Sequence, residues 1–530
     1  MGVRQIRRGI EEALKIIKGG QTRLVIEFPT GYGKSIGGAL IYKLVNELNL
    51  PEERVIHVLP LRAIVENLAV RMYNILGDNV AYQAGIHVQA PDGKPLPKSP
   101  LFSAGYNVTT FDSFIHNLYK VPVTEIYREY KHYYIPFEKI YTSTIIMDEA
   151  HLLAGDTSIK TREAFRDSIC YLASMGNPII IMTATLTETL RNTIRQALGN
   201  VKFLRLGPRD EVRGDTIYIH DSEFEAIMKD TRYVVKTTGI SKVIDLVLNL
   251  VGNGKRVLVV INSVPILVGI YRRLRKTGIG VGLIHASLTR RDRVSVMQRL
   301  SSLQVLLGTS AVEAGVDASF DALITVPDDP AGLVQRVGRV CRYGECNGEL
   351  YLICNIEGAI RELCEYLKEH GDNIQWRLPY DLGITKSYVE VLERFGDNTP
   401  LSQCGSDILK YLSRAFVSQG TINYLFELAG YNLARNALLD VYVKGVNEFR
   451  NASIEDLILD SYTTSIDKLP SKSCIETIGY IIDDEPLIAR EFDPGGFYEE
   501  KDPMHAYSLF VRKYRASPIL ITKPECYRAG

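Results

Sequence analysis

Short β-branched apolar runs punctuate the chain from Arg23 to about Leu206: RLVIEF, RVIHVL, YNVTT, TIIMD and PIIIMT, separated by stretches whose apolar residues recur at helical spacing. None alternates apolar with polar positions, so each predicts a strand covered on both faces, as in a parallel sheet with helices above and below. After about Ser241 the rhythm restarts with RVLVVIN, VGLIH, QVLLGT, ALITV and GELYLIC, spaced by patterns such as PILVGIYRRLRK. Two α/β domains in tandem are expected, over 1–206 and 241–356, joined by a polar linker over 207–240 that contains GPRDEVRG. Beyond about Ile356 the strand rhythm stops, and Leu363, Leu367, Leu409, Leu412, Phe416, Leu425 and Leu428 predict a mainly helical third domain over 357–530.

Two inserts interrupt the first domain. Residues 89–105 carry Pro91, Gly93, Pro95, Pro97, Pro100 and Gly105, a loop composition. Residues 119–141 interleave Tyr119, Tyr127, Tyr130, Tyr133, Tyr134 and Tyr141 with Arg128, Lys131 and Lys139. Aromatics beside cations stack on bases and hold phosphates, and the same composition covers a sheet edge; both readings stand.

Composition changes this picture little. With 46% hydrophobic and 23% charged residues, 530 residues make a packed multidomain chain, because about 150 residues per domain is usual. Sixty-two basic against 62 acidic side chains give no net charge, so a grip on a polyanion must come from a local channel. The N-terminal MGVRQIRRGIEEALKIIKGG reads as an amphipathic helix without a signal peptide's apolar centre, and no uncharged apolar run reaches membrane-spanning length. A cytoplasmic protein with no membrane partner is expected. The eight cysteines are scattered, with no CxxC, which indicates neither a disulfide framework nor a zinc knuckle.

The chemistry concentrates at strand ends. RLVIEF runs into PTGYGKS and then a helix pattern, the order a phosphate-binding loop needs. Gly31 and Gly33 let the backbone N–H groups face an anion, Lys34 neutralises its charge, and Ser35 offers a hydroxyl to Mg²⁺. Pro29, Thr30 and Tyr32 complete the loop, whose first expected glycine is replaced by Phe28. TIIMDEAH ends in two carboxylates: Asp148 to hold Mg²⁺ and Glu149 to orient the attacking water. MTAT places Thr183 and Thr185 at the next strand end, where they can relay the state of the bound phosphate. In VQRVGRVCR, Arg336, Arg339 and Arg342 recur at steps of three, a spacing that aligns cations towards a polyanion.

Together FPTGYGKS, HVLPLRA, VTTFDS, MDEAH, MTAT, VVINSV, GTSAVEAGVD and QRVGRVCR resemble, in order, the motifs of superfamily 2 helicases of the DEAH type over about residues 1–356. LPLRAIVENLAVRMY, VTTFDSF, HASLTRRDR and the stretch around VEAGVD are similar to the CRISPR-associated helicase family, the motor of type I interference. The resemblance implies two tandem RecA-like domains and ATP-driven movement on single-stranded DNA, alongside a CRISPR effector complex. It implies Lys34, Ser35, Asp148 and Glu149 in the roles above, with Gln335, Arg339 and Arg342 reaching ATP across the interdomain cleft. Gly315 and Asp317 would lie near sugar and phosphates, and His151 would link the nucleotide to the second domain. Gln5 resembles an adenine-reading glutamine, with a plain helix residue as the other reading. For the nucleic acid the resemblance points to Arg62, Thr109, Thr110, Ser263, His285 and Thr309.

Many members carry an N-terminal HD nuclease; here 27 residues precede Phe28, so cutting is expected from a separate HD nuclease subunit. The His220–Asp221 dipeptide has no companion histidines nearby and reads as coincidence. Two alternatives remain: a DEAH-type RNA or DNA-repair helicase outside CRISPR, and a nucleotide-switched scaffold without unwinding activity.

Overall fold

The computed structural model describes residues 6–48, 53–84, 88, 95–122, 132–154, 158–184, 186–313, 316–344, 347–396, 407–418, 420–421, 433, 438–482, 485–499 and 503–527. The first domain is built on β1 (Arg23–Glu27), β2 (Arg54–Leu59), β3 (Val80–Gln83), β4 (Tyr106–Thr110), β5 (Ser143–Asp148), β6 (Ile179–Thr183), β7 (Lys202–Leu206), β8 (Glu211–Arg213) and β9 (Thr216–Ile219). They form one sheet in the order β3-β4-β2-β5-β6-β1-β7-β9-β8, parallel except at β8. The five apolar runs read from the sequence lie in its centre. Their side chains divide between two cores: Val25, Ile56 and Met147 on one face, Leu24, Ile26, Val55 and Ile146 on the other.

The second sheet, β10 (Tyr233–Thr238), β11 (Val257–Val260), β12 (Val281–Ile284), β13 (Val305–Gly308), β14 (Ala322–Thr325) and β15 (Gly348–Ile353), is wholly parallel in the order β10-β15-β14-β11-β13-β12. In both sheets the carboxyl ends of the strands carry the loops with chemistry, the edge where open parallel sheets bind ligands.

Three boundaries differ from the sequence reading. Residues 207–240 are not a linker: β8 and β9 complete the first sheet, the helix Ser222–Met228 buries Phe224 and Met228 in its core, and β10 opens the second sheet. Short half-exposed edge strands carry polar residues, which is why the stretch reads as a linker. Within 361–395, Leu363, Leu367, Trp376, Tyr388 and Leu392 pack in the second core beside Leu323 and Leu350, while Leu378 sits in a core of the first domain. Leu409, Leu412, Leu439, Val441 and Phe510 instead pack on the first domain's core.

Helices predominate in this C-terminal part, yet it also holds a five-stranded sheet that the apolar pattern did not reveal. After the short pair β16 (Ile374–Gln375) and β17 (Lys386–Ser387) come β18 (Leu438–Tyr442), β19 (Ser461–Ser465), β20 (Ile475–Ile482), β21 (Glu485–Ile488) and β22 (Ile519–Thr522), ordered β19-β18-β22-β20-β21.

The cysteines also depart from expectation. Cys354 pairs with Cys364 and Cys474 with Cys526, their Cα atoms 6.0 and 5.8 Å apart, because the fold brings together residues whose spacing in sequence carries no pattern. Among the described residues no helix is long and apolar enough to cross a membrane.

Candidate nucleotide site and interdomain cleft

β1 lies between β6 and β7, with β5 next beyond β6, so the glycine loop, Thr183 and Asp148 emerge side by side. The loop turns through Gly31 and Gly33, at φ +83° and +107°, where a Cβ would be strained, and delivers the chain into the helix Lys34–Glu47. Lys34 is buried and its Nζ donates to the carbonyls of Phe28 at 2.8 Å and Pro29 at 3.5 Å. Ser35 is half-buried on the helix's first turn.

Tyr32 departs from the expectation that it contacts nucleotide. Its ring is fully buried, 4.5 Å from Phe28 and 5.0 Å from Phe224, and its hydroxyl donates to Asp221 Oδ2 at 2.5 Å and accepts from Gly9 N at 2.9 Å. It anchors the loop to the core. Asp221 also caps the helix Ser222–Met228, so the His220–Asp221 dipeptide has a structural use.

Asp148 is buried at the end of β5. Its Oδ1 accepts from Glu149 N at 2.9 Å and its Oδ2 lies 3.3 Å from His57 Nε2. Burial alone would raise its pKa, but the hydrogen bond and charge of His57 and the charge of Lys34 bring it below the ordinary value. Glu149 occupies the left-handed region at φ +50°, and burial raises its pKa against the pull of Lys34, Arg339 and Arg342. Its Oε2 has no hydrogen-bond partner. His151 Nδ1 stands 3.6 Å from that oxygen, and burial followed by Lys34 lowers the His151 pKa to about 3, so the imidazole is neutral.

His151 joins the two domains. Nδ1 meets Thr183 Oγ1 at 3.0 Å, and Nε2 meets the side-chain amide of Gln335 from the second domain. Gln335 lies on the helix Pro330–Val337, whose cap, Gly338, is pressed against the phosphate loop: a Cβ there would stand 2.4 Å from Thr30 Oγ1. Arg377, which sequence reasoning missed, is buried behind this contact and donates to Gly338 O at 2.9 Å and Arg342 O at 2.8 Å.

The three arginines do not share a face. Arg336 turns into its own domain, 2.6 Å from Glu313 and 2.8 Å from Asp328, because the helix ends at Val337 and the spacing of three stops mapping onto one side. Arg339 and Arg342 face the first domain, near enough for their charges to act on Glu149. Burial, then Arg342, push the Arg339 pKa down to about 9. Asp317 meets Arg342 Nη2 at 3.2 Å and Arg71 of the first domain at 3.0 Å, so its carboxylate bridges the cleft. Gln5, Thr185 and Gly315 lie outside the described residues, as do Tyr127, Arg128, Tyr130 and Lys131.

The atoms present fit a magnesium triphosphate. Arg339 Nε and Arg342 Nε and Nη1 are buried without a hydrogen-bond partner beside Lys34's loop, and Ser35, Asp148 and Glu149 supply hard oxygen donors.

The residues expected at a nucleic acid divide. Arg62, Ser263 and Thr309 are partly exposed near the carboxyl ends of β2, β11 and β13. Arg62 donates to Thr463 Oγ1 of the C-terminal sheet at 3.0 Å. Thr109, Thr110 and His285 have buried side chains, a correction to the expectation of direct contact. Thr109 donates to Gln83 O at 2.7 Å, and Thr110 caps the helix Phe111–Leu118, accepting from Ser113 N at 3.3 Å. A hydroxyl at a strand end satisfies the local backbone before it reaches a ligand. Tyr119 and Tyr133 are likewise buried, and Tyr134 packs 5.2 Å from Phe416, so these tyrosines cover the first domain.

Comparison with known proteins fits this arrangement. The family model of DEAD/DEAH box helicases matches residues 8–193, and that of the CRISPR-associated nuclease/helicase Cas3, C-terminal, matches residues 253–345. The CRISPR-associated helicase Cas3 of Thermoproteus tenax is 26% identical over 368 residues, 64% of this chain and 57% of the relative. The chain is similar to Cas3-type superfamily 2 helicases across both of its parallel-sheet domains. It thus spans little more than half the length of that Cas3 relative. A DEAD-box ATP-dependent RNA helicase, CshB of Staphylococcus aureus, is 23% identical over 61% of the chain and 66% of its own length. T. fusca Cas3 with AMPPNP superposes with a TM-score of 0.61 over 98% of this chain and 68% of that one, at 14% identity, a likeness of fold.

Proposed function

We propose that this Cas3-type chain is a nucleic-acid-dependent ATPase that moves on single-stranded DNA in the cytoplasm and unwinds target DNA in CRISPR type I interference. A separate HD nuclease subunit and an effector complex are its partners in this reading. The observation that carries it is the cleft, where buried guanidinium atoms of Arg339 and Arg342 lack partners and face Glu149 and the Lys34 loop. The resemblance to Cas3 supports the choice of DNA and of partners.

Lys34, Arg339 and Arg342 bind the triphosphate from two sides, and the unpartnered nitrogens of the two arginines gain an anionic partner when it arrives in the cleft. Bound Mg²⁺ supplies charge neutralisation at the transferred phosphoryl group. Glu149 orients the attacking water, Asp148 and Ser35 would hold the metal, and His151 passes the state of the site to Gln335. Each closure shifts the sheet edges that carry Arg62, Ser263 and Thr309 relative to one another, which advances a strand.

Steady-state ATP hydrolysis with no nucleic acid, with single-stranded DNA and with single-stranded RNA tests the proposal, Lys34→Ala serving as the blank. Stimulation by DNA is expected. Stimulation by RNA alone would move the assignment to RNA processing, and no response to either would leave a nucleotide-switched scaffold.

A further inference from the structure

β4, β2 and β5 are neighbours, and three polar side chains step diagonally across them on one face. Tyr106 pairs in register with Val55, His57 lies two residues on, and Asp148 follows Met147, the partner of Val58. Residues two apart on a strand share a face, so all three project to the same side. Tyr106 and His57 are fully buried and Asp148 nearly so. Tyr106 Oη is 2.6 Å from His57 Nδ1, and His57 Nε2 is 3.3 Å from Asp148 Oδ2. Nε2–H donates to the carboxylate, and Nδ1 shares a hydrogen bond with the phenol.

The helix that follows the phosphate loop is shaped around this chain. A Cβ at Gly38 would stand 2.8 Å from Tyr106 Oη and 3.1 Å from the His57 ring, and Tyr42 packs edge-on to Tyr106 at 5.7 Å. Glycine inside a helix costs about 1 kcal/mol relative to alanine, so its presence here marks a contact that needs the space. A histidine serving only the core could end its chain on any backbone carbonyl; this one ends on the carboxylate read as a metal ligand.

We propose that His57, backed by Tyr106, is a positioning residue for Asp148, fixing the rotation of the carboxylate so that its free lone pairs meet the cation in one orientation. The proposal rests on the reading of Asp148 as a magnesium ligand. Outer hydrogen bonds to metal ligands are worth about 10- to 100-fold in metal affinity.

The test is Mn²⁺ binding to the ADP-saturated full chain, followed by electron paramagnetic resonance, with ADP affinity measured separately in EDTA. In His57→Leu the Mn²⁺ dissociation constant should rise about tenfold or more, with ADP affinity in EDTA unchanged. His57→Gln, whose amide N–H can reach the place of Nε2, should recover most of the loss, and Tyr106→Phe should give a smaller shift in the same direction. Wild-type Mn²⁺ affinity in folded His57→Leu overturns the proposal, as does equal weakening of Mn²⁺ and metal-free ADP binding. If His57→Leu does not fold, wild-type affinity in Tyr106→Phe overturns it. Asp148→Asn separates the two readings: no effect there removes the metal-ligand assignment and the proposal with it, whereas a large effect there with none in His57→Leu removes the proposal alone.

Discussion

The two RecA-like domains meet along two seams of opposite character. At the back, Tyr388 of the second core donates to Ala184 O at 3.3 Å, and Glu393 accepts from Glu188 N at 2.9 and 3.1 Å while pairing with Arg191 at 3.2 Å. Arg191 also holds Glu27 at 3.0 Å, and these carboxylates outweigh burial and raise its pKa. At the front, Arg339 and Arg342 keep buried nitrogens without partners, and Glu149 a buried oxygen. A seam whose charges are already matched holds the domains together. The front one is matched only in part, through Asp317 with Arg342 and Arg71, and its remaining buried donors carry a desolvation cost that an arriving anion relieves.

The sharpest way to break this contrast is Arg342→Ala. An arginine supplied to a triphosphate from another domain is worth about 10³ to 10⁵ in rate, so hydrolysis should fall by that order while nucleotide affinity, read by equilibrium binding, changes far less. Equal loss of both would make the front seam structural like the back. Glu149→Gln should lower hydrolysis by about 10² to 10⁴ and still bind ATP, a separation visible in single-turnover assays.

Gly338→Ala should hold the cleft ajar against Thr30, costing on the order of 10²-fold in hydrolysis, the usual effect of an ångström of misplacement. Adding Thr30→Ala, which removes the atom it strikes, should recover part of the loss; a double variant no better than the single would locate the obstruction elsewhere. The smallest effect belongs to the back seam. Glu393 is about a third exposed, so Glu393→Gln should cost about 1 kcal/mol or less, lower the first thermal transition by about 2 to 4 °C and leave hydrolysis within about threefold. A large loss of hydrolysis instead would erase the distinction between the seams.

The site was legible where its chemistry is contiguous. Gly31, Gly33, Lys34, Asp148 and Glu149 sit in short peptides whose strand and helix context is local, and the central strands announced themselves by apolar runs buried on both faces. Residues whose role depends on what the fold brings beside them were not legible. Tyr32 lies inside the loop pattern yet serves the core, and Arg336 keeps the spacing of Arg339 but falls on the helical side of Gly338. Arg377 braces the cleft from a segment that reads only as C-terminal, and the hydroxyls of Thr109 and Thr110 serve their own strand end. For His57 the signals were present, a histidine within an apolar strand and adjacent glycines in the preceding helix, but only the fold connects them.

That sheet order has a consequence for folding fidelity. Tyr106, His57 and Asp148 come from three different strands and meet only in one alignment. A slip of one residue by β2 would turn His57 to the opposite face and leave an apolar strand that still pairs and packs. A molecule trapped in that arrangement would keep a near-native sheet while missing the donor to Asp148. A compact, inactive fraction that regains activity on unfolding and refolding would be the mark of such a slip.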